Sequence, residues 1–184
     1  MLKLLLLLSL SMGLAQAAPV VPEEDDLESF INQNLVFSQI THISKSVGNQ
    51  ASDLVIHAMG FLGVPYKRGG TGISGFDCSG FVRAMYENTL GLALPHNAKA
   101  QADATQTIQR DELQPGDLVF FNTLRKTFSH VGIYVGEGKF IHSPRAGGEV
   151  RLENMSDSYW RKRFNGARRV NAESIIKTSE LQQR

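Results

Sequence analysis

Three side chains in this 184-residue sequence are of types suited to covalent chemistry and have neighbours suited to supporting it: Cys78, His130 and His142. Cys78 is the only cysteine, and it stands in Gly75-Phe76-Asp77-Cys78-Ser79-Gly80-Phe81, with small or turn-forming residues on both sides. From Phe81 to Asn88 the apolar residues fall on one face of a helix, which Gly91 stops. Cys78 is therefore expected in the first turn of a helix with Asp77 as its N-cap. There the unpaired backbone N–H groups and the positive end of the helix dipole favour a thiolate over a thiol. Ser79 and Gly80 would leave the sulfur uncrowded. The competing reading is a small buried apolar residue, the common fate of a lone free cysteine.

His130 opens and His142 closes a pair of apolar runs, Val131 to Val135 and Lys139 to Ile141, joined by the hairpin signal Gly136-Glu137-Gly138. Both positions are even-numbered. A loop with an odd number of residues then puts both imidazoles on one face of the sheet, with a bulge expected beside a three-residue loop. Two such histidines suit either a metal ion or a relay in which one ring orients the other. Cys78 with both histidines is a chemically possible zinc set, but no nearby pair at metal-ligand spacing supports it. A thiol protease needs a nucleophile, a base and a third group that fixes the base's tautomer, and the same three residues supply all of them. Catalysis is the favoured reading, and neither a metal nor another cofactor is expected.

The elements that must hold these side chains follow from the flanking pattern. Ser52 is expected to cap a helix from Asp53 to Leu62 that buries Leu54, Ile56, Ala58, Phe61 and Leu62 and ends at Gly63 and Pro65. His57, inside it, reads as a packed or surface residue. Tyr66 and the glycine-rich Gly69-Gly70-Thr71-Gly72 lead straight to Cys78. Lacking phosphate-loop spacing, that loop is expected to let backbone approach a substrate and to aim Tyr66 at the thiol. A short helix is expected from Asn97 to Gln106, a turn at Leu113 to Asp117 and a strand at Leu118 to Phe121. Val150 to Leu152 and Ala167 to Val170 would complete an antiparallel sheet with the hairpin. Helices first and strands afterwards read as α+β.

The chain opens with Lys3, an apolar run from Leu4 to Leu14 and the small residues Ala15 and Ala17. That is the pattern of a signal peptide over residues 1–17, too short for the roughly 20 apolar residues of a spanning helix. No cysteine follows the run to accept a lipid, so no membrane anchor is expected. Residues 18–50, with the acidic cluster Glu23 to Glu28, read as a lead-in; 51–171 as one domain; 172–184 as a tail. A lone thiol in an exported chain has no intrachain partner for a disulfide, which favours its use in chemistry. With 19 basic against 18 acidic residues, the composition gives no support to nucleic-acid binding. Residues 51–171 carry 15 Lys and Arg against 11 Asp and Glu, a mild basic bias that suits an acidic ligand.

Five ordered blocks within residues 51–171 resemble the motifs of the NlpC/P60 family of cell-wall peptidases. They are Pro65-Tyr66 with Gly69-Gly70, Asp77-Cys78-Ser79-Gly80-Phe81, Pro115-Gly116-Asp117-Leu118, Ser129 to Tyr134, and Ile141-His142. The resemblance implies a papain-like α+β fold, N-terminal helices packed on an antiparallel β-sheet, with a Cys-His-His triad. The implied activity is that of a cysteine endopeptidase acting on peptidoglycan stem peptides, at the bond from γ-D-glutamate to meso-diaminopimelate. By position, Cys78 would be the nucleophile, His130 the base and His142 the orienting residue. Tyr66 would join the Cys78 N–H in binding the oxyanion, and Asp77 and Ser79 would line the substrate cleft. Two positions depart from the family pattern: Arg68 stands where many members have an aromatic residue, and His96-Asn97 where an Arg with Ser or Thr is common.

Free carboxylates flank the bond in such peptides, and Arg83, Arg145 or Arg125 are the candidates to pair with them. The resulting expectation is an exported, soluble monomer, periplasmic or secreted, whose partner is the peptide of peptidoglycan. Two alternatives remain at this point. One is a muramoyl-L-alanine amidase or acyltransferase using the same nucleophile; the other is a non-catalytic wall-binding module.

Overall fold

A computed structural model of the chain describes residues 50–123 and 126–171. The expected leader, nearly all of the lead-in, the tail and Arg125 lie outside the described residues. No helix among the described residues is long and apolar enough to cross a membrane.

The first helix, α1, occupies residues 50–59. It is already running at residue 50, so Ser52 lies inside it and is not its cap. Its core contribution is Leu54 and Ala58, spaced four apart on one face, whereas Ile56 points outward at 69% exposure and Leu62 is also exposed. The glycine-rich stretch is not an open loop. It folds into a two-residue ladder of β1 (Thr71–Gly72) and β2 (Gly75–Phe76), with Thr71 opposite Phe76.

Helix α2, Cys78–Leu90, follows at once, and Gly91 ends it in the left-handed conformation at φ 68°. Helix α3 is shorter than expected, Ala98–Asp103. Asn97 caps it by accepting from Ala100 N at 2.7 Å, while Gln106 has already entered a strand.

The sheet has six strands: β3 (Gln106–Ile108), β4 (Leu118–Phe121), β5 (His130–Gly136), β6 (Lys139–His142), β7 (Arg151–Asn154) and β8 (Phe164–Arg169). Their spatial order is β3-β8-β4-β5-β6-β7, and every neighbouring pair is antiparallel. A single helical turn, α4 (Ser158–Arg161), joins β7 to β8. The helices precede most of the sheet, and the class is α+β as the pattern implied.

Leu118 to Phe121 is buried throughout because both sheet faces are covered. Leu118 and Phe120, with Val131, Ile133 and Ile141, meet the helices in the main core. Val119 and Phe121 point the other way, into a second cluster with Phe140, Met155 and Trp160. Period-two alternation therefore sends His130 and His142 to the second, aromatic-rich face.

The hairpin reaches that result by a different turn from the one expected. Glu137 and Gly138 alone form the connection, at φ 52° and 71°, the paired left-handed conformation of a two-residue turn. A register shift between Tyr134 and Gly136 inserts the extra residue that keeps both histidines on one face.

Candidate active site

Asp77 does the local work of starting α2. Its Oδ1 accepts from Gly80 N at 2.7 Å and from Ser79 Oγ at 3.1 Å, and its Oδ2 accepts from Gly69 N at 2.9 Å. One carboxylate thus caps the helix and ties the glycine-rich segment to it. The glycines serve the chain's own backbone: a Cβ on Gly80 would lie 2.1 Å from Gly70 O, and one on Gly70 would lie 2.2 Å from Gly75 O. This packing sets the entry to Cys78 and accounts for Gly70 and Gly80, whereas a Cβ on Gly69 or Gly72 would meet nothing within 4 Å. Ser79 is buried and donates to His96 O at 2.9 Å. Asp77 and Ser79 therefore build the frame under the thiol, and neither lines the cavity into which it opens.

That cavity, of about 520 Å³, brings together Cys78, Tyr66, His130, Arg145, Glu153 and Trp160. The Cys78 thiol faces backbone N–H groups of Val131, Ser79 and its own residue. Those donors favour the thiolate, yet burial outweighs them and, with the charge of Asp77, pushes the thiol up to about 11. That direction runs against the expectation of a thiolate at neutral pH. Tyr66 is held from both sides of its backbone, donating to Gly148 O at 2.8 Å and bridging to Phe76. Burial, followed by the charges of Cys78 and Asp77, raises its hydroxyl above the ordinary tyrosine value, so it stays a donor.

His130 and His142 meet edge to face, with Nε2 of His130 2.7 Å from Nδ1 of His142. Trp160 stacks on His130 at 5.6 Å between ring centroids and meets His142 edge-on at 5.0 Å. Burial holds His130 well below the ordinary imidazole value, and the neighbouring ring of His142 adds to the shift. Burial likewise lowers His142, against the opposing pull of Glu153. Both rings are therefore neutral at neutral pH.

A close approach makes the pairing possible. Gly132 lies between the two histidines along β5 and β6, where a Cβ would stand 2.7 Å from Phe140 Cδ2 and 3.2 Å from His142 Cβ. Ser143, the residue after His142, is buried and donates to Phe76 O at 2.7 Å, fastening the end of β6 to the segment that precedes Cys78.

Four residues of this region were not singled out from the sequence: Ser143, Arg151, Glu153 and Trp160. The register of β6 with β7 places Arg151 opposite His142 and Glu153 opposite Phe140, so both charged side chains share the histidine face. Glu153 Oε1 lies 3.8 Å from His142 Nε2 and 2.5 Å from Arg151 Nε, and its Oε2 accepts from Trp160 Nε1. Contact with His142 and the hydrogen bond from Trp160 hold Glu153 down at about 2 despite its partial burial. Alternating charges at 151 and 153 were the available signal, but it requires a strand starting at Arg151 rather than running from Val150 to Leu152.

Arg83 is not brought to this cavity. It pairs with Glu87 at 3.4 Å and hydrogen-bonds His96 in a separate hollow beside Thr71. Arg145 does line the cavity, as does Arg151. Asp117, from the Pro115 to Leu118 block, is buried and forked by Arg169 at 2.9 and 2.8 Å, an ion pair that fastens β8 to the start of β4. No group of three His, Cys, Asp or Glu side chains that could hold a metal ion occurs among the described residues.

The sequence model of the NlpC/P60 family matches residues 63–169. The murein DD-endopeptidase MepH of Escherichia coli is 46% identical over 114 residues, covering 59% of this chain and 42% of that protein. A gamma-D-glutamyl-L-lysine dipeptidyl-peptidase of Bacillus subtilis is 34% identical over 148 residues, covering 79% of this chain and 48% of that protein. The chain thus spans about half the length of the curated relatives it matches. Among solved structures, that of an NlpC/P60 family protein from Bacillus cereus superposes with a TM-score of 0.61 at 37% identity, covering 65% of this chain and 39% of that one.

Proposed function

Because this chain belongs to the NlpC/P60 family, we propose that it is an exported cysteine endopeptidase of peptidoglycan stem peptides. The observation that carries the reading is the single cavity shared by Cys78, Tyr66 and His130, with His142 2.7 Å behind the base. The leader-like opening of the sequence supports export.

In this reading the resting pair is a neutral thiol and a neutral imidazole. Nε2 of His130 is engaged by His142, so Nδ1 takes the thiol proton as the Cys78 sulfur bonds to the amide carbon. The carbonyl oxygen becomes an oxyanion, to which the Tyr66 hydroxyl and the Cys78 N–H donate in this reading. Collapse breaks the C–N bond, and His130 returns the proton to the leaving amine. Water then adds to the thioester with His130 as base, releasing the carboxylic acid and restoring the thiol. Arg145 is the cavity side chain suited to a free carboxylate of the stem peptide.

The bond implied by the family resemblance joins γ-D-glutamate to meso-diaminopimelate, and the Bacillus relative named for a gamma-D-glutamyl bond supports it. A second reading, cleavage between two D-configured residues, is favoured by the higher identity to the murein DD-endopeptidase. Digestion of defined cross-linked muropeptides followed by mass spectrometry separates the two. Cleavage at glutamate releases the chain beyond it, whereas D,D cleavage turns dimers into intact monomers. Release of whole stem peptides from the glycan would instead identify an amidase. In every case Cys78→Ala should abolish release while leaving the melting temperature near that of the wild type; turnover by that variant would sink the cysteine mechanism.

A further inference from the structure

We infer that Glu153 is a positioning residue that fixes the direction of the hydrogen bond between His142 and His130, and so keeps the base nitrogen of His130 unprotonated. The inference rests on His130 being the general base, as proposed above.

Two neutral imidazoles joined between Nε2 of one and Nδ1 of the other can share their proton in two ways. If His142 carries its proton on Nδ1, it donates to His130, whose own proton must then sit on Nδ1. That state has no base facing the thiol. If His142 carries its proton on Nε2, its Nδ1 accepts from His130 Nε2–H, and Nδ1 of His130 presents a lone pair. Nothing in the ring pair alone selects the productive state.

Glu153 supplies the selection. His142 is completely buried, its Nε2 has no hydrogen-bond partner among the described residues, and it faces the carboxylate Oε1 at 3.8 Å. A lone pair there would confront a negative oxygen in a poorly solvated site; an N–H there is attracted to it. The carboxylate is itself held on two sides, by Arg151 Nε at 2.5 Å on Oε1 and by Trp160 Nε1 on Oε2. Trp160 also stacks against His130, so the indole that orients the carboxylate orients the base as well. The other titratable or charged groups lining the cavity are Cys78, Tyr66, Arg145 and Tyr159.

The choice of variant follows from these contacts. In Glu153→Gln a single amide oxygen must choose between Arg151 and Trp160. Arg151 is half exposed and can turn to water whereas the indole is buried, so the oxygen goes to Trp160, the NH₂ turns toward His142 and the unproductive direction is favoured. Glu153→Asp retains the charge on a shorter arm. Long-range ¹H–¹⁵N spectra of histidine-labelled protein should show Nε2–H on both His142 and His130 in the wild type, and a shift of His142 toward Nδ1–H in Glu153→Gln. That variant should lose roughly 10- to 100-fold in kcat, the scale of a lost carboxylate partner to a working histidine, with KM little altered. Its neutral-pH alkylation by iodoacetamide at Cys78 should slow in parallel, and Glu153→Asp should recover part of both.

Wild-type His142 protonated on Nδ1 would overturn the assignment. So would a Gln variant with wild-type kcat and alkylation, or a loss of activity with the tautomers unchanged. The spectra and the alkylation rates need no substrate, so a wild-type protein that cleaves no muropeptide would defeat the proposed function without deciding this one.

Discussion

The two halves of the candidate site are built by different means. The arm of the proposed nucleophile, residues 65 to 80, is shaped by backbone: an Asp77 cap, a two-residue ladder, and glycines in contact closer than any side chain permits. The histidine arm is shaped by side chains on the aromatic face of the sheet, where His130, His142 and Trp160 pack together and Glu153 reaches in from β7. A backbone-built arm fixes a single position and tolerates little. A side-chain-built arm tunes protonation, and its members differ in how much each one carries.

The sharpest test of that difference lies between the two histidines. His130→Asn removes the proposed base and should reduce kcat on the order of 10⁴-fold, close to the loss in Cys78→Ala, because residues acting as a unit are not additive. His142→Asn leaves an amide oxygen that can still accept from His130 Nε2–H, so part of the activity should remain; His142→Ala should lose roughly 10-fold or more in kcat with KM hardly moved. Equal and complete loss in His142→Asn, or a change confined to KM, would mean that His142 does not act through His130.

The same division explains what could be read from the sequence. Cap, helix, hairpin and the shared histidine face were legible because each is encoded within a few residues: Asp77 before Cys78, Gly91 after Leu90, two even-numbered histidines around a glycine turn. Even so, the correct face followed from a bulge at Val135 and a two-residue turn, not from a three-residue loop. The short strands β1, β2 and β3 were missed because two or three residues with little apolar alternation carry no periodic signal. Glu153 and Trp160 were missed because their roles depend on register across β6 and β7, which no local pattern specifies. Arg83 looked available as a free cation on α2, yet His96, thirteen residues away, engages it instead. Burial of Cys78 is also a tertiary property, which is why helix position alone does not give the direction of its shift.

A second comparison uses the two close glycines. Gly80→Ala drives a Cβ to 2.1 Å from Gly70 O, a contact between two backbones that share the Asp77 cap. The expected destabilisation is about 1–3 kcal/mol or more, read as a large drop in melting temperature. Gly132→Ala also meets a backbone oxygen, Ile141 O, but at 2.9 Å rather than 2.1 Å, and its nearest neighbour is a side chain, Phe140 at 2.7 Å. It should lower the melting temperature less and show itself mainly as lost kcat through a displaced His142. A larger thermal loss in Gly132→Ala than in Gly80→Ala would reverse the assignment of backbone and side-chain arms.

The smallest effects should appear in the pH dependence of stability, where each arm owns one limb. On the acid side, His130 and His142 have folded values below the ordinary 6.5, so the unfolded chain binds protons first as pH falls. Their contribution is whole above pH 6.5 and is lost progressively below it; Glu153, lowered from 4.5 to about 2, extends the loss through that lower window. On the alkaline side the sign reverses for Cys78, raised from 9.0 to about 11: the unfolded thiol ionises first, and its contribution is whole below pH 9 and lost as pH rises through 11. Tyr66 and Tyr86 are also raised by burial and join mainly from their ordinary value of 10.0 upward, so the cysteine leads between pH 9 and 10. Each group contributes at most about 1.4 kcal/mol per pH unit, one proton's worth. Thermal melts should therefore show a plateau between about pH 6.5 and 9, with the alkaline shoulder flattened in Cys78→Ala and the acid limb made shallower in His130→Asn. Because the Cys78→Ala change is confined to the nucleophile arm, its acid limb should match the wild type. An alkaline shoulder between pH 9 and 10 that is unchanged in Cys78→Ala would show that the thiol ionises in the folded protein as easily as in the unfolded chain, and the donors at the start of α2 would then have offset its burial after all.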